Sequence, residues 1–156
     1  MGTTIGIDFG TSTTLIAVRE DEQAPRIIPL GKGAATAWLP SVAAISPAGG
    51  VVIGEDAESS SEPVRSVKSK LTGKIEADSD IAVVDWISEI IKEALNRAIA
   101  VSPEITDANE VFIGCPAEWD GDQRRALADA AAAAGITVDI GEIIDEPVAA
   151  GLAWIQ

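Results

Sequence analysis

Hydrophobic and polar residues alternate at the start of the chain. Ile5, Ile7 and Phe9 fall on one face of an extended segment and small or polar residues on the other, the two-residue period of a β-strand. A Gly-, Ser- and Thr-rich turn follows at residues 10–13, and residues 15–19 are again mostly apolar. The pattern predicts a β-hairpin. Gly and Pro signals separate three further predicted strands, at residues 26–29, 38–45 and 51–53.

The next segment of the chain has the periodicity of an α-helix. Between residues 80 and 100, apolar residues recur at intervals of three and four, which predicts an amphipathic helix. Asp78, Ser79 and Asp80 are candidates for its N-cap. Residues 110–115 then read as a buried strand that ends at a proline.

The last part of the chain alternates between helix and strand. Asp120 and Gln123 form a capping-box pattern that predicts the start of an alanine-rich helix, and Gly135 predicts its end. A strand is predicted at residues 137–140, and a last helix opens at residues 146–147. Strands first, then alternating helices and strands, predict a mixed α/β sheet.

Charge narrows the range of partners. The chain has 156 residues, enough for one domain with a core, and 11 basic against 25 acidic residues give a net charge of -14. Such a charge repels nucleic acid and anionic membrane surfaces, so we expect neither as a partner. A phosphate site would have to use backbone N–H groups, hydroxyls and a metal ion rather than a basic patch.

Missing residue types exclude further chemistry. The absence of histidine excludes a Ser-His-Asp triad and a histidine zinc site. The single cysteine, Cys115, excludes an internal disulfide and fits a reducing compartment. No apolar stretch reaches the roughly 18 residues of a membrane span, so we expect a soluble, cytoplasmic protein. We expect Cys115 to serve packing, and we expect the four tryptophans, Trp38, Trp86, Trp119 and Trp154, to pack in the core or at the lobe interface rather than to stack on bases.

Residues 5–14, IGIDFGTSTT, place one carboxylate among glycines before a hydroxyl-rich turn. Small residues let a phosphate approach the backbone, turn N–H groups and hydroxyls can hold it, and Asp8 can hold a hard metal ion directly or through water. The alternative is an ordinary hairpin in which Asp8 is a solvated acid.

Two later segments carry weaker signals. Residues 111–119, VFIGCPAEW, taken alone are a strand and a turn before a helix. Residues 143–153, IIDEPVAAGLA, place Asp145 and Glu146 at a predicted helix N-terminus, where the helix dipole favours negative charge and the acids could orient a metal-bound water. Simple capping of the helix by these two acids is an equally good explanation.

In this order and spacing, the three segments resemble the actin-like ATPase superfamily, and most closely the DnaK-like heat-shock-protein-70 chaperones. The resemblance covers nearly the whole chain. It implies an α/β, ribonuclease H-like lobe with a mixed five-stranded sheet and flanking helices. It also implies that residues 1–156 are the first lobe of a nucleotide-binding domain, with a peripheral subdomain trimmed around residues 30–80. The second lobe and the substrate-binding domain are then absent from the sequence.

The resemblance implies roles for individual residues. Asp8 matches the aspartate that organises magnesium and potassium around the phosphates, and Glu146 matches the acid near the attacking water; both would reach the metal through waters. Pro116 matches a proline that relays the nucleotide state, and Asp145 stands where relatives often have asparagine. The loop around the terminal phosphates matches Gly10, Thr11, Ser12 and Thr13, of which Thr11 is the best hydroxyl candidate.

The catalytic lysine of this family matches residues 66–71, SVKSKL. Lys68 fits best, and Lys70 is the second candidate. A surface lysine with no catalytic role is the alternative.

The resemblance implies an ATP-driven chaperone that binds ATP or ADP with Mg²⁺ and K⁺, and whose other domains meet unfolded peptides and co-chaperones. Asp8, Lys68 and Glu146 would be its catalytic residues. A filament-forming relative of actin, of the bacterial rod-shape type, is the alternative; such relatives lack the lysine motif, so Lys68 favours the chaperone. A sugar or acetate kinase ranks last. Because one lobe makes half of the phosphate contacts, we expect the chain alone to be inactive and to bind ATP weakly.

Overall fold

The alternating residues at the start form the predicted hairpin. In the computed structural model, which describes residues 2–33, 36–71 and 82–146, β1 (Thr3–Phe9) and β2 (Thr13–Glu20) pair antiparallel. Ile5, Ile7 and Phe9 are buried, as the two-residue period predicts. The remaining strands are β3 (Arg26–Ile28), β4 (Leu39–Pro40), β5 (Ala43–Ile45), β6 (Val51–Ile53), β7 (Ala108–Cys115) and β8 (Ile143–Asp145).

The main sheet is mixed, as predicted. Its strands lie in the order β3-β2-β1-β7-β8, with β7 parallel to β1 and β8 parallel to β7. The short β4 adds a sixth strand by pairing with β2, so the sheet has one strand more than the predicted five. β5 and β6 form a separate two-stranded sheet.

Two strand predictions are wrong. The predicted strand 38–45 is broken between Pro40 and Ala43, because β4 pairs with β2 while β5 pairs with β6. Residues 137–139 form no strand; Asp139 instead caps a 3-10 turn, Ile140–Glu142, in a capping box with Glu142. The strand begins at Ile143, where β7 supplies a partner.

Helices cover one face of the sheet. The main helices are α2 (Val83–Val101) and α3 (Gly121–Ala133), and α1 (Glu55–Glu58) is a single short turn. The buried side of α2 packs with the core residues of β1 and β2 in one hydrophobic cluster. The predicted capping box is confirmed: Asp120 accepts from the N–H of Gln123, and Gln123 accepts from the N–H of Asp120.

Other predictions meet mixed outcomes. Trp86, Trp119 and Cys115 are buried as expected, but Trp38 is 49% exposed and is not a core residue. The N-cap of α2 is Ala82, so the predicted caps at residues 78–80, which lie outside the described residues, are wrong. The predicted last helix is described only at Glu146, and Trp154 also lies outside the described residues. Within residues 2–33, 36–71 and 82–146, no helix is long and apolar enough to cross a membrane.

Arg97 connects α2 to Leu30, shortly after the end of β3, and to α1. Its Nε donates to Glu93 at 2.7 Å, and its Nη1 donates to Glu55 at 2.9 Å and to the carbonyl oxygen of Leu30 at 2.8 Å. Leu30 is buried, so the guanidinium satisfies a carbonyl close to the core. One residue of α2 thereby fixes Leu30 and the first turn of α1.

Candidate functional site

The face of the sheet opposite the helices bears a cleft of about 800 Å³. Strand register arranges its floor in two rows, because paired residues point to the same face. One row consists of Ile27, Ala17, Gly6 and Phe112. The second row consists of Leu15, Asp8, Gly114 and Ile144. Asp8 is therefore the acid in the middle of a largely apolar floor.

The hairpin turn closes one end of the cleft. The N–H of Gly10 donates to the carbonyl oxygen of Thr13 at 2.9 Å. A Cβ at Gly10 would lie 2.5 Å from that oxygen, so only glycine allows this turn. Gly10 and Thr11 line the cleft.

Ser12 and Thr13, also predicted for the phosphate loop, are not among the residues that line the cleft. The carbonyl oxygen of Ser12 accepts from the N–H of Ser41 at 2.8 Å, and Thr13 pairs with Pro40. Next to them, the hydroxyls of Thr14 and Ser41, both buried, share a hydrogen bond of 2.9 Å. Ser12 and Thr13 thus connect the turn to β4.

The two predicted metal-binding acids face each other across Gly114. A Cβ at Gly114 would lie 3.7 Å from Cγ of Glu146 and 4.0 Å from Oδ1 of Asp8. Glycine at this position therefore leaves space between the two carboxylates. Parallel β7 and β8 create this arrangement, because Glu146 follows directly on the last residue of β8.

Burial raises the pKa of Asp8 above its ordinary value. Lys68 lowers the pKa of this carboxyl and the negative Glu146 raises it, and the net result remains a raised value. Asp8 nevertheless stays accessible to solvent at the floor of the cleft. It is therefore an accessible carboxylate whose ionised form is disfavoured by partial burial, which is an environment suited to a cation.

Lys68 is the predicted lysine that enters the cleft. It lies in a 3-10 helix, Val67–Lys70, with its side chain only 4% exposed, and its Nζ donates to Oε1 of Glu146. Lys70, the second candidate, is exposed and does not line the cleft. Pro116 lines the cleft as Lys68 does, and its carbonyl oxygen accepts a hydrogen bond from the N–H of Trp119.

Asp145 forms an ion pair with Arg124 of α3. Arg124 also donates to the carbonyl oxygens of Ile143, at 3.3 Å, and Trp119, at 3.2 Å. The hydrogen bond to Asp145 raises the pKa of Arg124. The negative charge of Asp145 is therefore balanced locally by a residue of α3.

Two site residues were missed by the sequence analysis. Gly114 was seen only as part of a strand, although a glycine between Ile113 and Cys115 in a buried strand is the signal of a close approach. Trp119 was assigned to packing, yet its ring lies against Lys68. No local pattern indicates the second contact, because 51 positions separate these residues (119 − 68).

The donor set fits a hard cation only in part. Among the described residues, no group of three or more His, Cys, Asp or Glu side chains could hold a metal ion by itself. Asp8 and Glu146 offer two carboxylates with the space above Gly114 between them. Magnesium in proteins is usually held by one or two carboxylates, with water and phosphate oxygens completing the shell. These two acids fit such an ion when phosphate accompanies it.

Comparison with known proteins finds relatives of this chain. No protein-family model matches the chain. The chaperone protein DnaK of Nitrosopumilus maritimus is 36% identical over an alignment of 165 residues, gaps included, and this alignment covers 99% of this chain and 25% of that protein. DnaK of Thermosipho africanus is 32% identical over 157 residues (96% and 25%), and DnaK of Thermotoga maritima is 32% identical over 159 residues (96% and 26%).

The chain thus spans about a quarter of the length of the curated relatives that it matches. The similarity extends over nearly all of its own residues, including β1, the turn after it, β7 and β8. The chain belongs to the DnaK, or heat-shock-protein-70, family of chaperones.

Proposed function

We propose that this chain is the first lobe of an actin-like, ribonuclease H-like nucleotide-binding domain, and that it holds the phosphates of ATP during hydrolysis in a DnaK-type chaperone. One observation carries the proposal. Asp8, Lys68 and Glu146, from three distant parts of the sequence, converge in one cleft beside the turn at Gly10 and Thr11. Convergence of these residue types around a glycine turn suits phosphate chemistry.

Electrostatics explains how an acidic chain could hold an anion. The net charge is -14, but Lys68 brings a buried positive charge into the cleft. The Thr11 hydroxyl and the N–H groups of the turn add donors that cost no repulsion. A magnesium ion, with potassium near it, would supply the remaining positive charge beside Asp8 and Glu146. The phosphates would therefore lie at the end of the cleft where Gly10, Asp8 and Lys68 meet.

The side chains then have separate roles in hydrolysis. Lys68 and Glu146, which already share a hydrogen bond, would orient the attacking water for in-line displacement at the terminal phosphate. Glu146 offers the acceptor and Lys68 a positive charge where negative charge accumulates. Asp8 would hold the shell of metal-bound waters in place.

The remaining functions belong to the full-length protein. Unfolded peptides and co-chaperones would bind through domains beyond this lobe, and a second lobe would complete the ATP site. We propose that the parent chaperone is cytoplasmic and that it acts in the stress response. The peripheral subdomain around residues 30–80 would be smaller than in relatives, so we do not propose for this chain the contacts that relatives make there. Similarity to DnaK chaperones favours this function over the actin-like filament.

Single-turnover ATP hydrolysis by the full-length protein tests the assignment. Lys68→Ala removes the buried charge and is expected to slow the chemical step by at least about a hundredfold, as does loss of other preorganised charge-stabilising groups. Lys70→Ala, two positions away and exposed, is the matched control and should leave the rate unchanged. Equal rates for wild type and Lys68→Ala would refute the catalytic role.

Titration calorimetry tests the lobe assignment separately. If the second lobe supplies the adenine pocket and half of the phosphate contacts, residues 1–156 alone should bind Mg-ATP weakly or not at all. Low-micromolar affinity of this fragment would contradict the proposal that it is one lobe of a two-lobed site.

A further inference from the structure

Lys68 has contacts that the proposed function does not use. Its Nζ lies over two aromatic rings, 5.7 Å from the ring centroid of Trp119 and 5.9 Å from that of Phe9. Trp119 is 9% exposed and Phe9 is fully buried. The ammonium group is therefore enclosed by aromatic surface as well as by Glu146.

Withdrawing an ammonium group from water is costly unless other groups replace the lost solvation. Lys68 has three N–H donors, and among the described residues Glu146 is the side chain that accepts from it. The side chain of Glu146 is 45% exposed, so water partly screens its charge, and the nearby carboxylate of Asp8 adds further attraction. Aromatic faces attract a cation through their quadrupole without occupying an N–H donor, and the indole ring does so best.

The position of Trp119 is fixed from its backbone. Its N–H donates to the carbonyl oxygen of Pro116 at 3.1 Å, and its carbonyl oxygen accepts from Nε of Arg124 at 3.2 Å. Asp120, the next residue, is the N-cap of α3. These bonds hold the ring at the end of β7, where Lys68 reaches it.

We propose that Trp119 and Phe9 form an aromatic seat for the ammonium group of Lys68, and that Trp119 is a positioning residue that keeps this group in the cleft when Glu146 does not accept from it. The seat leaves N–H donors of Lys68 available for an anion in the cleft. That consequence for phosphate rests on the proposed function, whereas the seat itself rests on the ring contacts alone.

The test measures how readily the Lys68 amine reacts in the full-length protein. Reductive methylation with formaldehyde, followed by peptide mass spectrometry, gives the rate at Lys68 relative to Lys70 as an internal reference. The background is Glu146→Gln, which removes the carboxylate that accepts from Lys68; Asp8 remains and is common to every variant compared. We expect Trp119→Leu to raise the relative rate about five- to tenfold, and Trp119→Phe, which keeps an aromatic face, to stay within about twofold of the background.

Comparison of Phe with Leu separates the seat from simple packing. Equal relative rates in Trp119→Phe and Trp119→Leu would overturn the proposal, because both side chains fill apolar space and only one has a π face. Should the Leu variant not fold, protein labelled with 5-fluorotryptophan keeps the ring in place and weakens its negative face. A rise in the relative Lys68 rate on labelling supports the seat, and no rise contradicts it.

Failure of the seat and failure of the proposed function give different results. The amine reactivity is measured without ATP, so it is unaffected by whether the protein hydrolyses ATP. If Lys68→Ala hydrolysed ATP normally while Trp119→Leu still exposed the Lys68 amine, the catalytic assignment would fall and the seat would stand. Normal protection of Lys68 in Trp119→Leu, with slow hydrolysis in Lys68→Ala, would overturn the seat and leave the catalytic assignment standing.

Discussion

Lys68 donates a hydrogen bond to Glu146 although 78 positions separate the two residues in the sequence. The pair is asymmetric, since the Lys68 side chain is buried and that of Glu146 is half-exposed. Loss of Glu146 would leave a positive charge in a poorly hydrated place, whereas loss of Lys68 would leave a carboxylate that water can reach. The pair thus connects the segment before α2 to the end of β8 and sets the charge of the cleft.

The raised pKa of Asp8 predicts a pH-dependent cost to stability. An acid whose pKa is higher in the native state binds its proton more tightly there, so its favourable contribution is complete below the usual value of 3.8 and is lost as pH rises through the raised value. Asp8→Asn should therefore stabilise the metal-free protein at pH 7, by less than about 1 kcal/mol because water reaches the carboxylate.

Urea unfolding at pH 7 and below pH 3.8 checks this prediction, since the advantage of Asp8→Asn should disappear once Asp8 is protonated. Asp107→Asn is the control, because Asp107 is exposed at the opposite end of the sheet, before the start of β7. A variant less stable than wild type at pH 7 would show that attraction to Lys68 outweighs desolvation.

Gly114→Ala is expected to separate metal binding from stability. The new methyl group would lie at ordinary contact distance, 3.7 Å from Cγ of Glu146 and 4.0 Å from Oδ1 of Asp8. The free energy of unfolding should therefore change by less than about 0.5 kcal/mol. It would, however, occupy the space where metal-bound waters are proposed. We expect affinity of the full-length protein for Mg-ATP to fall about tenfold.

Gly6→Ala is the matched control, because Gly6 lies on the same face, lines the same cleft and has no atom within 4 Å of an added Cβ. Calorimetry of both variants gives the comparison. Equal losses of affinity in the two would indicate general obstruction of the cleft rather than a role for the space between the carboxylates.

The buried hydroxyls of Thr14 and Ser41 should be energetically coupled. Thr14→Val leaves the Ser41 hydroxyl without its 2.9 Å partner, and Ser41→Ala does the same to Thr14, so each should cost about 1–3 kcal/mol. The double variant leaves neither hydroxyl unpaired, and its cost should fall short of the sum by about 1 kcal/mol. Urea unfolding of the four proteins measures the coupling.

Thr106 provides the reference cycle, since its hydroxyl donates to Pro103 in an exposed turn with no link to Thr14. Thr14→Val combined with Thr106→Val should be additive. If the Thr14 and Ser41 variants were also additive, the hydroxyl contact would not be what holds β4 to the hairpin.

Local signals sufficed for part of the fold. The hairpin at β1 and β2, the amphipathic α2 and the capping box of Asp120 follow from periods and caps that lie within a few residues of one another. β8 did not follow, because its existence depends on pairing between Ile143 and Ile113, 30 positions earlier (143 − 113). The break at Pro40 likewise depends on which strand each half of the segment meets.

The site residues likewise differ in whether local sequence was enough to predict them. Gly10 could be assigned because a turn needs glycine, and the resemblance already favoured Lys68 over Lys70, whereas the surroundings of each lysine side chain came only from the fold. Both lysines belong to one short basic run, and only the fold decides which of them points inward. The ring contacts of Trp119 are likewise a product of tertiary packing.

Asp145→Asn should shift the chemistry of Cys115 without unfolding the protein. Burial raises the pKa of the Cys115 thiol; Asp145 raises this pKa further, and the positive Arg124 lowers it. An asparagine keeps an oxygen that can accept from Arg124, but it removes the negative charge 4.0 Å from the sulfur. The pKa of the thiol is therefore expected to fall, because one of the two acids that raise it is gone while the attraction of Arg124 remains.

Cys115 is the only cysteine in the chain, so thiolate absorbance measured against pH in residues 1–156 reports it alone. Asp145→Ala is the informative contrast, since it removes the acceptor as well as the charge and should cost about 1–3 kcal/mol on urea unfolding. If Asp145→Asn were as destabilised as Asp145→Ala, the ion pair itself would be holding α3 to β8. An unchanged thiol titration in a stable Asp145→Asn protein would show that Asp145 does not set the charge around Cys115.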